Sequence, residues 1–102
     1  MEKQIRVMIK EPDKDPEFRM IDNELKELQN IVGGYIETVT FDEMVVICNE
    51  EGRIMDMDFC CEVEGVSFVG PVIFAGYEED EFVSLPFSKR DMEELLPDLW
   101  EL

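Results

Sequence analysis

The sequence contains no histidine, a single tryptophan, and nine lysine and arginine residues against 26 aspartate and glutamate residues. Without histidine, the chain has no Ser-His or Cys-His pair for nucleophilic catalysis and no imidazole ligand for a metal. It also has no P-loop and no G-x-G-x-x-G motif, so no phosphate-binding loop is indicated. Its apolar runs are far shorter than the roughly 20 residues that cross a membrane. We therefore expect neither an enzyme nor a membrane protein, and neither a cofactor nor a bound metal.

Cysteine is scarce, because Cys48, Cys60 and Cys61 are the only three and make an odd total. Adjacent cysteines form a disulfide only with strain, and a structural zinc site needs four ligands at C-x-x-C type spacing. We therefore expect buried, reduced thiols, as in proteins of a reducing compartment. The N-terminal segment lacks the apolar stretch of a secretory signal, so the expected location is cytoplasmic.

Negative charge is abundant and unevenly distributed. The formal net charge is −17, but residues 1–26 hold six basic and seven acidic residues, a net charge of only −1. Residues 27–102 hold three basic and nineteen acidic residues, a net charge of −16. A field of this sign repels nucleic acids and anionic membranes and attracts basic protein surfaces. With 45% hydrophobic residues the chain is apolar enough to fold, and its length predicts one domain over residues 1–102.

Alternation and β-branched residues predict several strands. Gln4–Lys10 alternates and predicts a half-buried strand, with its isoleucines and valine on the apolar face. Further strand-like segments are Phe18–Ile21, Tyr35–Phe41, Met44–Asn49, Val66–Tyr77 and Phe82–Leu85. The second and third of these predict a hairpin, and Gly70–Pro71 predicts a bend within the fourth. Arg53–Glu64 fits neither a helical nor a strand period and stays unassigned.

Two segments have the features of helices. The first has an N-cap at Asp22 or Asn23 and ends at Gly33, which can adopt the left-handed C-terminal position. Its predicted buried stripe consists of Leu25, Leu28, Ile31 and Val32. The second begins with a capping box at Ser88 and is ended by a proline. Trp100 then either closes the edge of the core or is an exposed anchor for a partner or a second copy of the chain.

The order of these elements predicts an α+β fold. An antiparallel or mixed β-sheet carries one helix packed on a face, and a short helix lies near the C-terminus.

Three acidic clusters are candidate partner-binding sites. The candidates are Glu78, Glu79, Asp80 and Glu81 with the flanking Tyr77 and Phe82, then Asp56 with Asp58, and Glu62 with Glu64. In an extended strand, carboxylates two residues apart lie on one face at about 6.6 Å, near the spacing of successive phosphates on one strand. Such pairs can present a phosphate-like pattern to a groove lined by lysine and arginine, although acidic surfaces also simply keep proteins soluble.

The run YEEDEF at residues 77–82 has three interpretations. It is a solvated hairpin turn, a calcium site, or a contact surface in which the aromatic residues provide apolar anchorage beside the charge. The EF-hand pattern of calcium ligands is absent, and a contact surface is compatible with a turn.

Two parts of the sequence resemble a known family. IDNELKELQNIVGGYIETV followed by VVICNEEG, and FVGPVIFAG followed by EFVSLP, are similar to small proteins of unknown function carried by phages, plasmids and conjugative elements of Gram-positive bacteria. The resemblance covers about Ile5 to Leu85. It departs at MDMDFCCEVE, where many members have a polar element that contains asparagine and arginine.

The resemblance implies a product of a mobile genetic element, and some such proteins are type II-A anti-CRISPR proteins, which inhibit Cas9. With the charge, it predicts an inhibitor that binds Cas9, or another basic nucleic-acid-binding defence protein, and blocks guide RNA loading or DNA binding. The alternative is an anti-restriction protein that mimics DNA. A third hypothesis, a hydrolase with paired carboxylates, predicts turnover and loss of activity with chelator. Oligomeric state and the cluster that makes contact stay open.

Overall fold

The structure, a computed structural model, describes residues 3–100, which form eight strands, two α-helices and one 3₁₀-helix. In chain order these are β1 (Gln4–Lys10), β2 (Glu17–Asp22), α1 (Leu25–Val32), β3 (Ile36–Phe41), β4 (Met44–Asn49), β5 (Phe59–Val63), β6 (Val66–Val69), β7 (Val72–Glu78), β8 (Glu81–Val83), α2 (Lys89–Leu95) and the 3₁₀-helix (Pro97–Trp100). The predicted α+β fold is confirmed, and the strand pairs in this range are antiparallel. None of its helices is long and apolar enough to cross a membrane.

The main sheet has the strand order β2-β1-β7-β4-β3, and β5 with β6 forms a separate hairpin. β8 pairs with the end of β7 on the side away from β4, because Gly76 faces Met44 on one neighbour and Val83 on the other. Beyond β8, the Leu85 amide donates to the Arg6 carbonyl at 2.8 Å. The chain after β8 therefore continues along β1, which fixes the β7–β8 hairpin to the sheet.

Helix α1 covers one face of the main sheet. Leu28 and Val32 are buried against the isoleucines and valines of β1, β4 and β7, and Gly33 ends the helix with φ 87° as predicted. The start of the helix differs from the prediction, because Glu24 is the N-cap and makes no side-chain capping bond. Asn23 instead donates through its side chain to the Phe82 carbonyl at 3.1 Å.

The predicted apolar stripe of α1 is also wrong at its first position. Leu25 is 58% exposed, and it lines an open depression of about 230 Å³ beside the β7–β8 hairpin. Ile31 is only partly buried against the same core. Helical spacing therefore identified the buried face of the helix but not how far the core extends along it.

The β5–β6 hairpin, α2 and the 3₁₀-helix cover the opposite face of the main sheet. Met8, Val46 and Phe74 are fully buried in this second core layer. β1 is therefore buried on both faces from Val7 to Lys10, and the prediction of a half-buried strand is wrong there. The three cysteines are unpaired and buried, as expected.

The C-terminal elements agree with the sequence-based predictions. The Ser88 hydroxyl accepts the Asp91 amide at 3.1 Å, and the Ser88 amide donates to the Asp91 carboxylate at 3.0 Å, which completes the capping box. Pro97 begins the 3₁₀-helix just after α2 ends. Trp100 is partly buried against the second core layer, which favours a role at the edge of the core.

Two segments follow paths that periodicity did not define. Residues 50–58 form a chain of turns in which the Met55 amide donates to the Glu51 carbonyl at 2.9 Å and the Met57 amide to the Gly52 carbonyl at 3.0 Å. The single strand predicted for Val66–Tyr77 is two strands in two different sheets. Gly70, with φ 72°, and the proline after it carry the chain from β6 to β7.

Candidate functional site

The β7–β8 hairpin places the acidic run at its tip. Glu78 pairs with Glu81, and the two residues between them, Glu79 and Asp80, have φ of 48° and 65°. Two consecutive left-handed residues in a two-residue loop are the signature of a type I′ turn, which normally uses asparagine and glycine. The turn predicted for this run is confirmed, and it is built from acidic residues at positions that disfavour them.

The aromatic residues that flank the run face each other across the hairpin. Tyr77 pairs with Phe82, and their ring centroids are 6.0 Å apart. Phe82 packs against the α1 core, whereas Tyr77 is 40% exposed and its hydroxyl donates to the Asp80 carboxylate at 3.2 Å. Partial desolvation and this hydrogen bond raise the pKa of Tyr77 above its ordinary value. Tyr77 is thus available to a partner, and Phe82 anchors the hairpin.

The pair Glu62 and Glu64 does not have the geometry expected from the sequence. Glu62 is exposed on β5, but Glu64 lies in the β5–β6 turn with φ 47°, next to Gly65 with φ 84°. The two carboxylates therefore do not stand on one face of an extended strand, which is the arrangement that the expected spacing of about 6.6 Å requires. The reason is that Val63 pairs with Val66, so the two residues between them must form the turn.

Asp56 and Asp58 are exposed in the segment of residues 50–58. Asp56 has φ 58°, and the Asp58 carbonyl accepts a backbone N–H from the β6–β7 connection at 2.8 Å. Asn49 holds the start of this segment, because its buried side chain accepts the Glu51 amide at 2.7 Å and donates to the Val32 carbonyl at 3.2 Å. Both aspartates therefore lie on the surface of a segment that is held in place by hydrogen bonds.

The three acidic clusters do not form one continuous surface. Asp80 and Glu81 line the depression beside α1, on one side of the main sheet. Glu62 lines a cavity beside Leu99, in the layer on the opposite side. The separation follows from the topology, because β7 and β8 belong to the main sheet and β5 to the hairpin that covers its other face.

The carboxylates of these clusters have no ion-pair partner among residues 3–100. The ion pairs in that range are Lys14 with Glu11 at 3.7 Å, Arg19 with Glu17 at 3.5 Å, and Arg90 with Glu94 at 3.5 Å. All three are exposed, and pairs of this kind contribute little to stability. The acidic clusters are therefore free to attract cations from outside the molecule.

Left-handed backbone positions are occupied by acidic residues. Between residues 3 and 100, the non-glycine residues with positive φ are Asp13, Asp42, Asp56, Glu64, Glu79 and Asp80. All six side chains are exposed. Aspartate tolerates this conformation better than most residues, but glutamate gains no such advantage. The turns of the fold thus carry carboxylates even where the backbone disfavours them.

An exposed apolar surface beside residues 50–58 was not predicted. Ile54 is 85% exposed and lines a depression of about 290 Å³ together with Val66. The next residue, Met55, lines a second depression of about 550 Å³ together with Tyr35. These four side chains, which line two separate depressions on either side of the Ile54–Met55 link and which we call the apolar patch, are all exposed by more than a third. The only signal in the sequence was two apolar residues in a segment without strand or helix period.

Acidic residues border the apolar patch. Glu37 and Glu50 line the first depression, and Glu51 lines the second. Arg53 also lines the first depression, where it donates to the Ser67 carbonyl at 2.9 Å and so ties the segment to β6. An apolar centre with a charged rim is typical of protein interfaces.

A protein-family model matches residues 5–96, which run from β1 to the end of α2, and is described as a domain of unknown function, DUF3846. The chain belongs to the DUF3846 family. No curated protein and no solved structure matches it. The resemblance to a family of unknown function is thereby confirmed. The β7–β8 hairpin and the apolar patch of this DUF3846 protein both lie within the matched residues.

Metal binding by the acidic clusters has no geometric support in the described part of the chain. Residues 3–100 of the DUF3846 protein contain no group of three or more cysteine, aspartate or glutamate side chains placed to hold a metal ion. The carboxylates of the clusters can form ion pairs with lysine and arginine side chains and accept hydrogen bonds from them.

Proposed function

We propose that this DUF3846 protein is a stoichiometric inhibitor that docks through its acidic surface on the basic, nucleic-acid-binding surface of another protein. The observation that carries the proposal is that carboxylates without an ion pair among residues 3–100 border exposed apolar side chains, at Tyr77 on the β7–β8 hairpin and at the apolar patch. Buried aromatic and aliphatic anchors supply most of the affinity of an interface, and complementary charge selects the partner. A net charge of −17 favours a basic partner.

The partner we propose is Cas9 of a type II-A system, as the resemblance to mobile-element proteins implies. Cas9 holds its guide RNA and target strand in a positively charged channel, so an acidic protein in that channel competes with nucleic acid. The preferred step is guide RNA loading in the cytoplasm of the bacterial host, because Cas9 without guide exposes the most basic surface. A restriction or modification enzyme is the alternative partner, since it also presents a basic surface to DNA.

Salt dependence distinguishes electrostatic docking from a purely apolar contact. The screening length falls from roughly 10 Å at 0.1 M ionic strength to about 3 Å at 1 M. We expect affinity for the partner to fall by about tenfold or more between about 50 and 500 mM salt. An affinity that does not change over this range would contradict the electrostatic mechanism.

The order of addition tests the partner and the step. The protein is mixed with Cas9 before or after guide RNA, and cleavage of target DNA is followed as the protein is titrated. Inhibition at one equivalent, only when the protein is added first, supports competition for the guide site. Inhibition in either order supports a contact at the DNA-binding or nuclease surface. No inhibition in either order excludes Cas9, and a binding assay with restriction enzymes follows.

Charge reversal locates the contact. The first variant changes Glu78, Glu79, Asp80 and Glu81 to lysine, and a matched control changes the exposed Asp13, Asp15, Glu93 and Glu94 to lysine. Both variants change the net charge by the same amount, so a general loss of acidity affects them equally. Loss of binding in the first variant alone identifies the hairpin as the contact. A third variant, Ile54→Ala with Met55→Ala, tests the apolar patch. Both side chains are exposed, so these substitutions should leave the stability of the fold nearly unchanged.

A further inference from the structure

A cavity of about 530 Å³ lies beside β5, and it contains the chain's adjacent cysteines, Cys60 and Cys61, together with Lys10. Its remaining lining residues are Asp13, Phe59, Glu62, Asp98 and Leu99. The docking function proposed above uses neither the thiols nor the lysine.

A β-bulge places both cysteines on the buried side of β5, beside this cavity. The pairing of β5 with β6 shifts register between Phe59 and Cys61, so Cys60 is the extra residue of the bulge. In a regular strand, adjacent side chains point to opposite faces of the sheet. Here Cys60 and Cys61 are both buried, with 8% and 5% exposure, and both line the same cavity.

Lys10 supplies a buried positive charge to the same cavity. Its residue is 3% exposed, and its ammonium donates to the Glu11 carbonyl at 2.9 Å. No carboxylate of residues 3–100 lies within 4.0 Å of the ammonium, which has three N–H donors. A thiolate beside this ammonium is stabilised by its positive charge.

The two thiols are unequal. A hydrogen bond from Cys60 and the Lys10 ammonium together lower the pKa of Cys61, although burial opposes them. The same hydrogen bond and burial raise the pKa of Cys60. The Cys60 hydrogen has a second acceptor, the Lys10 carbonyl, with Sγ and oxygen 3.3 Å apart. Cys61 is therefore the more readily ionised thiol of the pair, and Cys60 is the thiol held beside it.

A disulfide between these cysteines is strained. Neighbouring Cα atoms are about 3.8 Å apart, whereas disulfides usually join Cα atoms roughly 4.4–6.8 Å apart. A bridging atom that bonds both sulfurs removes the need for a direct sulfur–sulfur bond. Trivalent arsenic is thiophilic and pyramidal, and it holds two sulfurs at about a right angle.

We propose that Cys60 and Cys61 form a dithiol site for trivalent arsenicals. In the reaction with R–As(OH)₂, the Cys61 thiolate and then the Cys60 sulfur attack arsenic. Two As–S bonds form, two As–O bonds break, and the two thiol protons leave with the oxygens as two water molecules. The arsenic stays trivalent, so no oxidant or reductant is needed.

The test uses the full chain and phenylarsine oxide, with intact-mass spectrometry of the folded protein. We expect one adduct per chain, which an excess of a small dithiol removes and an equal concentration of a monothiol does not. Cys60→Ser and Cys61→Ser should each weaken the adduct by about a hundredfold, because the second As–S bond is intramolecular. Cys48→Ser is the matched control and should retain the adduct. Lys10→Met should slow its formation several-fold.

Protection from alkylation provides a readout that needs no variant. Bound arsenical should shield Cys60 and Cys61 from iodoacetamide and leave the reaction of Cys48 unchanged, as measured by peptide mapping. An adduct of unchanged affinity in Cys60→Ser, or its loss in Cys48→Ser, overturns the proposal. So does an adduct that forms only in the urea-unfolded chain, because the folded cavity then excludes the ligand. All of these outcomes are independent of partner docking.

Discussion

Replacing Glu79 with asparagine and Asp80 with glycine should stabilise the protein. These residues form the loop of the β7–β8 hairpin with φ of 48° and 65°, and the strands on either side pair directly through Glu78 and Glu81. Asparagine and glycine are the residues that a type I′ turn favours at these two positions. The double substitution therefore keeps the turn and its register while it removes the backbone conflict.

The magnitude follows from the terms that change. A left-handed conformation costs an ordinary L-residue such as Glu79 about 1–2 kcal/mol and costs aspartate less, and the substitutions relieve both residues. Removal of two carboxylates beside the opposed pair Glu78 and Glu81 adds a few tenths of a kcal/mol. Two effects oppose this gain. Glycine gives the unfolded chain more conformational freedom, which lowers the free energy of unfolding by roughly 0.5–1 kcal/mol, and the exposed hydrogen bond from Tyr77 to Asp80 is lost. We expect a net gain of about 1 kcal/mol, or about 4–8 °C in Tm.

Urea denaturation followed by far-UV circular dichroism measures this change, and the dependence of unfolding free energy on urea should stay constant. Glu64→Asn is the matched control, because Glu64 takes the first position of an equivalent turn whose second residue is already Gly65. It should give a smaller gain of about 0.5 kcal/mol. A double variant less stable than the wild type would refute the argument, since the turn would then owe its shape to its acidic side chains.

Three further changes probe the scaffold of the candidate site. Gly76→Ala places a Cβ 2.5 Å from the Ser84 carbonyl oxygen, so it should lower the free energy of unfolding by about 1–3 kcal/mol in urea denaturation. Asn49→Ala removes the buried amide that holds residues 50–58 and should cost about 2 kcal/mol, with exchange protection of that segment lost in hydrogen-exchange mass spectrometry. Burial, reinforced by a nearby carboxylate, raises the pKa of Cys48 from 9.0 to about 11. The thiol therefore ionises at lower pH in the unfolded chain than in the folded one, and the free energy of unfolding falls as the pH rises through this interval. Cys48→Ala should therefore lose less stability than the wild type between pH 9 and 11, by about 2 kcal/mol.

Local chemistry was enough to predict much of the fold. The strand at β1, the end of α1 at Gly33 and the capping box at Ser88 each depend on a few neighbouring residues, and all three are present. The hairpin of β3 with β4 was predicted for the same reason, because a short turn joins two β-branched segments. The burial of Met8 and Lys10 was not predictable in this way, since it depends on elements that follow some 50 residues later.

The candidate site was predicted less completely. The acidic tip of the β7–β8 hairpin was recognised from composition, and its turn from the short spacing between strands. The apolar patch was missed, because the path of residues 50–58 is set by Asn49 and by the contact of Arg53 with Ser67, both non-local. The shared side of Cys60 and Cys61 was missed because a bulge reverses the alternation that a strand imposes.

The position of the carboxylates supports the proposed docking over a role in solubility alone. Solubility depends on the amount of surface charge and not on its exact position. Glutamate could therefore lie on helix faces or at ordinary loop positions, where its backbone conformation is not strained. Here glutamate occupies left-handed positions at Glu64 and Glu79, and Glu78 stands directly opposite Glu81. Local rules are most often broken at functional sites. Added salt screens the repulsion and favours the folded chain, while it weakens attraction to a basic partner. A surface that is unfavourable for folding is what we expect if selection acted on the proposed docking to a basic partner.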